Sequence, residues 1–140
     1  MNEGQIALIK KSWSIFKGID PLLVGDVFYS RLFFRAPSLR KMFSASMNSQ
    51  YKKLVDMLSL IVARLERPDE ITQEIKELAM KHVGYGVKQQ HYEVVGECLL
   101  WTLEQGLGND WNEEIKAAWS SCYNMIAGAM LSAVKIPGAK

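Results

Sequence analysis

His82 stands where an apolar side chain belongs. Ile71, Ile75, Leu78 and His82 follow one another in steps of four, three and four, which puts all of them on one helical face. Leucine or methionine normally fills such a position. An imidazole there needs a hydrogen-bond partner or a metal, because burying an unsatisfied polar ring costs on the order of 1–3 kcal/mol. A core histidine satisfied by a hydrogen bond is the commoner outcome, and His82 alone does not decide between the two. Tyr29 and Gln50 are also polar groups on apolar helical faces. Each has an ordinary alternative, as a core tyrosine with its hydroxyl at the edge or a glutamine at the rim of its stripe. Together, three helices that each aim one polar group inward make a pocket for something flat, apolar and metal-bearing.

The elements that position these residues are all helical. A first helix is predicted from about Glu3 to Gly18, with Asn2 and Gln5 forming a capping box and Ile6, Ile9, Trp13 and Phe16 as its stripe. A second starts at Asp20-Pro21 and carries Leu22, Asp26, Tyr29, Leu32 and Phe33 on one side, with Phe28 beside them. Pro37 forces a bend, a short turn leads to Phe43, and residues 44–49 read as a loop by composition. Gln50 then opens a helix, with Leu54, Leu58, Ile61 and Leu65 continuing its stripe. Pro68-Asp69 starts the helix of His82, which Gly84 and Gly86 end. A further helix is expected from Tyr92 to Leu107, a turn at Gly106, Gly108 and Asn109, and a last helix capped by Asp110 with Glu113. Trp111, Ile115, Trp119, Cys122, Ile126 and Ala129 form its stripe, and a short polar tail follows position 134 or so. No alternating strand pattern and no repeat occurs. The expectation is one all-α domain over residues 1–140, its last two long helices antiparallel.

Composition closes several routes. The net charge of +2, with scattered basic residues, argues against nucleic acid as a partner. The longest purely apolar run, Leu60 to Ala63, falls far below the about 20 residues that span a bilayer. The polar start lacks a secretory signal, so a cytoplasmic protein with free buried thiols at Cys98 and Cys122 is expected. No Gly-rich phosphate loop and no His/Cys cluster of metal-binding spacing is present. A Cys98–His91 nucleophile fails on distance, since seven residues on one helix span about 10 Å. Chemistry here needs a cofactor.

The ordered pattern Phe28-Tyr29-x-x-Leu32-Phe33-x-x-x-Pro37, Phe43, Gln50-x-x-x-Leu54 and Lys81-His82-x-x-x-Gly86-Val87-x-x-x-His91-Tyr92-x-x-Val95-Gly96 resembles the bacterial single-domain globins. It is similar to Vitreoscilla-type haemoglobin and to the haem domain of flavohaemoglobins, from about Gln5 to Met130. The resemblance implies a globin fold, helices packed three over three around haem b (iron protoporphyrin IX). It makes His82 the proximal ligand to iron and Phe43 the ring that packs on the porphyrin. Tyr29 and Gln50 become the distal hydrogen-bond donors, and Leu54 the apolar residue that narrows the distal pocket. Phe28, Lys81, Val87, Tyr92 and Val95 complete the cofactor-binding set. A neutral imidazole can ligate through one nitrogen while its other N–H needs an acceptor, and the Leu78 carbonyl, one turn back, is in place for that.

Two departures from the flavohaemoglobin pattern carry expectations. The position resembling its late glutamate, bonded to the proximal imidazole, is Val134, so the ligand is expected to be less anionic. The chain holds no flavin- or nicotinamide-binding segment, so redox turnover is expected to draw on a separate reductase. His91, nine residues past His82, is expected at a helix start or on the surface rather than on iron. Reversible binding of O2, and of NO or CO, is the first function expected. A nitric oxide dioxygenase that turns O2 and NO into nitrate is the second. A haem-free signalling module is the third, disfavoured because His82, Tyr29, Gln50 and Phe43 are all present.

Overall fold

The computed structural model describes residues 1–43, 46–84 and 88–133. Among them lie six α-helices and three short 3-10 turns, with no strand. The helices are α1 (Glu3–Phe16), α2 (Pro21–Arg35), α3 (Met47–Ala63), α4 (Thr72–Gly84), α5 (Gln89–Leu107) and α6 (Glu113–Ala133). The 3-10 turns are Pro37–Met42, Pro68–Ile71 and Gly108–Asp110, each where proline or glycine interrupts the helical pattern.

Local signals place the starts of the first two helices. Asn2 Oδ1 accepts from the Gln5 backbone N–H at 2.8 Å, and Gln5 Oε1 accepts from the Asn2 N–H at 3.3 Å, closing the expected capping box. Asp20 accepts from the Leu22 N–H at 3.0 Å, with Pro21 in the first turn. Four later starts differ from the sequence expectation. The helix of His82 begins at Thr72, because Pro68–Ile71, expected as its first turn, forms a separate 3-10 turn. The helix of Gln50 begins at Met47, so Gln50 lies a turn inside it. The helix of Tyr92 begins at Gln89. The cap of the last helix is Asn112, whose Oδ1 accepts from the Ile115 N–H at 2.9 Å, because Asp110 is drawn into the preceding 3-10 turn.

The buried faces then assemble. Ile9, Trp13 and Phe16 of α1 are buried, Trp13 packs on Trp119 of α6, and the Trp119 indole N–H donates to Ser12 Oγ at 2.9 Å within the core. On α2 the inward line is Val24, Phe28 and Leu32. Leu22 and Asp26, expected on that side, are exposed instead, because the face turned to α3 and α5 lies one residue round. On α6, Ala129 is exposed and Met130 takes the inward place. Cys98 and Cys122 are both free and buried. α5 and α6 run antiparallel, Tyr123 late in α6 bonding to Tyr92 early in α5. No helix among the described residues is long and apolar enough to cross a membrane. The expected contributions of Gly86, Val87, Val134 and part of the 44–49 loop fall outside the described residues.

The crossing of α2 over α3 sets how close Tyr29 and Gln50 come. It depends on Gly25, where an added Cβ would lie 2.2 Å from Tyr51 Cβ and 2.5 Å from Tyr51 Cα. Because the obstacle includes backbone, the helices would have to separate. Gly25→Ala is expected to destabilise the protein by about 1–3 kcal/mol, the usual cost of overpacking. Denaturant unfolding checks this, and an unchanged midpoint would show that the crossing is loose.

Candidate functional site

His82 sits in the last turns of α4, half-buried, on the face that also carries the buried Ile71 and Ile75. Its Nδ1 lies 2.7 Å from the Leu78 carbonyl oxygen. A carbonyl can only accept, so Nδ1 carries the proton and the Nε2 lone pair lies on the opposite edge of the ring. Burial pushes the His82 pKa below its usual range, while the Leu78 bond pulls it up. The ring is therefore kept neutral, the state in which an imidazole ligates a metal.

A cavity of about 460 Å³ opens beside it, between α2, α3, α4 and the start of α5. Tyr29, Phe28, Phe43, Gln50, Leu54, Lys81, His82 and Val95 all line it. A second cavity of about 140 Å³ reaches deeper and shares Phe28, Leu54, Met57, Leu78, His82 and Val95 with the first. Tyr92 borders that inner space, together with Leu99, Trp119, Cys122, Tyr123 and Ile126. Nine of the ten sequence-predicted site residues thus border one or the other of two adjoining cavities that share wall residues. The tenth, Val87, lies outside the described residues.

Tyr29 belongs to an aromatic cluster on the α2–α3 side. Its ring meets Phe28 edge-on at 4.9 Å and Phe43 at 5.4 Å, and it stacks on Tyr51 at 5.7 Å. Such contacts add about 0.5–1.5 kcal/mol each beyond burial and fix the ring plane. Tyr51 escaped sequence reasoning because it lies beside the Gln50 stripe rather than on it. Burial first, then the charge and hydrogen bond of Asp26, push its phenol up.

Opposite this cluster, Tyr92 stacks on the His82 ring at 6.4 Å with 28° between the planes. Burial pushes the Tyr92 and Tyr123 phenols up, so both keep their protons. The Cys122 thiol on the inner wall is raised by burial to about 11 and stays uncharged. His91 is at a helix start, as expected, but faces the larger cavity and is half-buried; its Nδ1 accepts from the Lys88 N–H at 2.9 Å. Lys53 and Lys81 border the same space.

No group of three or more His, Cys, Asp or Glu side chains among the described residues could hold a metal ion. A flat cofactor that brings its own metal suits the walls better. They offer a largely apolar cavity within the about 300–1,000 Å³ usual for ligand sites, one neutral imidazole, and two lysines, Lys53 and Lys81, of a charge that suits a porphyrin's acid groups. The residues present fit haem.

Comparison with known proteins agrees. The globin family model matches residues 26–130. A flavohemoprotein of Oceanobacillus iheyensis is 30% identical over 96% of this chain, which spans only 36% of that relative. A Gossypium hirsutum protein named anaerobic nitrite reductase is 32% identical, over 95% of this chain and 93% of its own length. The solved bacterial globin from Campylobacter jejuni superposes with a TM-score of 0.83 at 25% identity, covering 94% of this chain and 95% of that one. The chain belongs to the globin family and has its all-α fold. It is related to the haem domain of flavohemoproteins and to the Campylobacter globin, and family membership implies haem binding.

The neutral state of His82 has a consequence for haem-free protein. The unfolded chain takes up a proton near the ordinary value of 6.5, before the folded ring does. Stability therefore falls as pH drops through and below that value and is intact above it. Between about pH 7.5 and 5.5, bracketing the ordinary histidine range, the unfolding midpoint of the wild type is expected to fall more than that of His82→Leu. Parallel declines would contradict a buried neutral imidazole.

Proposed function

We propose that this chain holds haem b on His82 and binds O2 reversibly, with NO and CO as further ligands, under Tyr29 and Gln50. The observation that carries the reading is an imidazole tethered at Nδ1 to Leu78 and bordering one cavity with a phenol and a carboxamide from two other helices. Bound haem supplies an iron with a coordination position open to a diatomic gas. The protein supplies the rest.

His82 Nε2 would hold the iron, while the Leu78 bond keeps the tautomer and raises the basicity of the ligand. Phe43 and Phe28 would pack on the ring system, with Tyr92 and Val95 completing its contacts. Lys81 lies at the rim for an acid group. Tyr29 offers an O–H and Gln50 an N–H to a ligand that gains negative charge, and such donors stabilise it. Leu54 narrows the same space and excludes water. With no carboxylate at position 134, the imidazole receives no anionic partner there, so peroxidase-like bond cleavage is weak.

A second reading makes the same site an enzyme, as the relative named anaerobic nitrite reductase is by its name, though for a different reaction. In that reading the site is a nitric oxide dioxygenase whose electrons come from an external cytoplasmic reductase. Multiple NO turnovers with such a reductase favour it; one stoichiometric burst favours gas binding. A haem-free signalling role requires that the purified protein take up no pigment when haem is supplied.

Tyr29→Phe tests the distal assignment. Loss of one hydrogen bond to the ligand, worth about 0.5–1.5 kcal/mol, makes O2 leave roughly 2- to 12-fold faster. Stopped-flow dissociation of the haem-loaded protein measures this. An unchanged rate would mean that the hydroxyl does not touch the ligand.

A further inference from the structure

The outward face of α2 is not that of a solvated helix. Among the described residues six large apolar side chains are exposed, and three of them, Leu22, Leu23 and Phe34, lie on this one helix. Leu23 is 54% exposed and Phe34 74%. Leu23, the half-buried Val27 and Phe34 follow in steps of four and seven, which makes them one ridge along the helix. Single exposed apolar residues are ordinary, but a contiguous row of them marks a contact surface. None of the three borders either cavity beside His82, so the gas site does not account for them.

Charge is laid out across the same side of the molecule in two rows. Arg31 and Arg35 stand on α2 beside the ridge, while Glu93, Glu97 and Glu104, all exposed, follow one another at helical spacing on α5. The two helices lie side by side and antiparallel. Arg35 pairs with Glu97 at 2.5 Å, and Arg31, one turn earlier, sits 4.7 Å from the ring centroid of Trp101, one turn later. Arg31 also meets the Phe34 ring at 5.5 Å. Two aromatic rings hold its charge. Among the described residues no carboxylate pairs with Arg31, and no cation pairs with Glu93 or Glu104. Aromatic rings and arginine are the side chains that carry most binding energy in protein interfaces.

A partner with one sign of charge does not fit this face. An acidic surface suits the arginines and is repelled by the glutamates, and a basic surface meets the reverse. A surface carrying the same two rows in the opposite order suits both. This face is such a surface when turned about a two-fold axis parallel to the helices, which lays the α2 of each copy on the α5 of the other. We propose that the α2–α5 face is the interface of a dimer of this chain, with Phe34 and Trp101 near its centre and the arginine row of each copy facing the glutamate row of its partner. Helices of about 22 and 28 Å, at about 1.5 Å per residue, make a patch at the small end of specific interfaces, so the association is weak and concentration-dependent. It needs no haem and stands apart from the gas-binding reading.

Sedimentation velocity of the full chain at rising protein concentration is expected to show monomer passing into dimer. Phe34→Ser, at an exposed position, is expected to raise the dissociation constant about tenfold or more with the thermal midpoint unchanged. Charge reversal tests the pairing itself. One variant carries Arg31→Glu and Arg35→Glu, which makes both rows acidic. The other carries Glu93→Lys and Glu104→Lys, which makes the α5 row mainly basic like that of α2. Each alone is expected to stay monomeric, because like rows meet across the axis, and the two mixed are expected to form a heterodimer. A wild type that stays monomeric at every concentration, or a dimer as tight in Phe34→Ser as in wild type, would overturn the inference. So would two reversed variants, each folded by circular dichroism, that do not associate on mixing.

Discussion

The 2.7 Å bond between His82 Nδ1 and the Leu78 carbonyl is the constraint on which the site depends. It places the proton on one ring nitrogen and the lone pair on the other, and it uses the second lone pair of a carbonyl inside α4. Burial works in the same direction by disfavouring the charged ring. A histidine on an apolar stripe thereby becomes a neutral donor with a defined lone-pair direction rather than a buried defect.

The remaining helices bring partners to that edge. α2 and α3 cross closely because Gly25 leaves room for Tyr51, and the crossing puts Tyr29 and Gln50 on one cavity wall. Tyr29 is held by rings on several sides, which fixes where its hydroxyl can be. α5 and α6 close the opposite side, with Tyr92 against the imidazole and Tyr123 behind it. The site is thus a junction of five helices.

That distinction governs what could be read from the sequence. The stripe ending in His82, the Asn2 and Asp20 caps and the Leu78 acceptor are local features spaced within about one helical turn, and pattern reasoning reaches them. Two helix starts lie earlier than periodicity predicts: Met47, whose N-cap Ser46 makes no side-chain cap bond, and Gln89, both where composition looks loop-like or polar. Asn112 displaced Asp110 as a cap because a 3-10 turn intervenes, and both residue types cap equally well. Leu22 and Asp26 were assigned inward by periodicity, but the face that meets α3 and α5 is decided by packing. Tyr51 and Tyr123 act across 22 and 31 positions, onto Tyr29 and Tyr92, and no local pattern reports such pairs. Glycines at 25 and 96 were the available clue, since each marks a place where another chain segment comes close.

The central claim is that the imidazole at position 82 is the group that takes the iron. Haem titrated into His82→Gly, with and without added imidazole and followed by visible absorption, tests it most directly. The account predicts that the variant loses the wild-type haem spectrum and that free imidazole, entering the vacated space, restores it. A variant that binds haem with the wild-type spectrum and no response to imidazole would contradict the account.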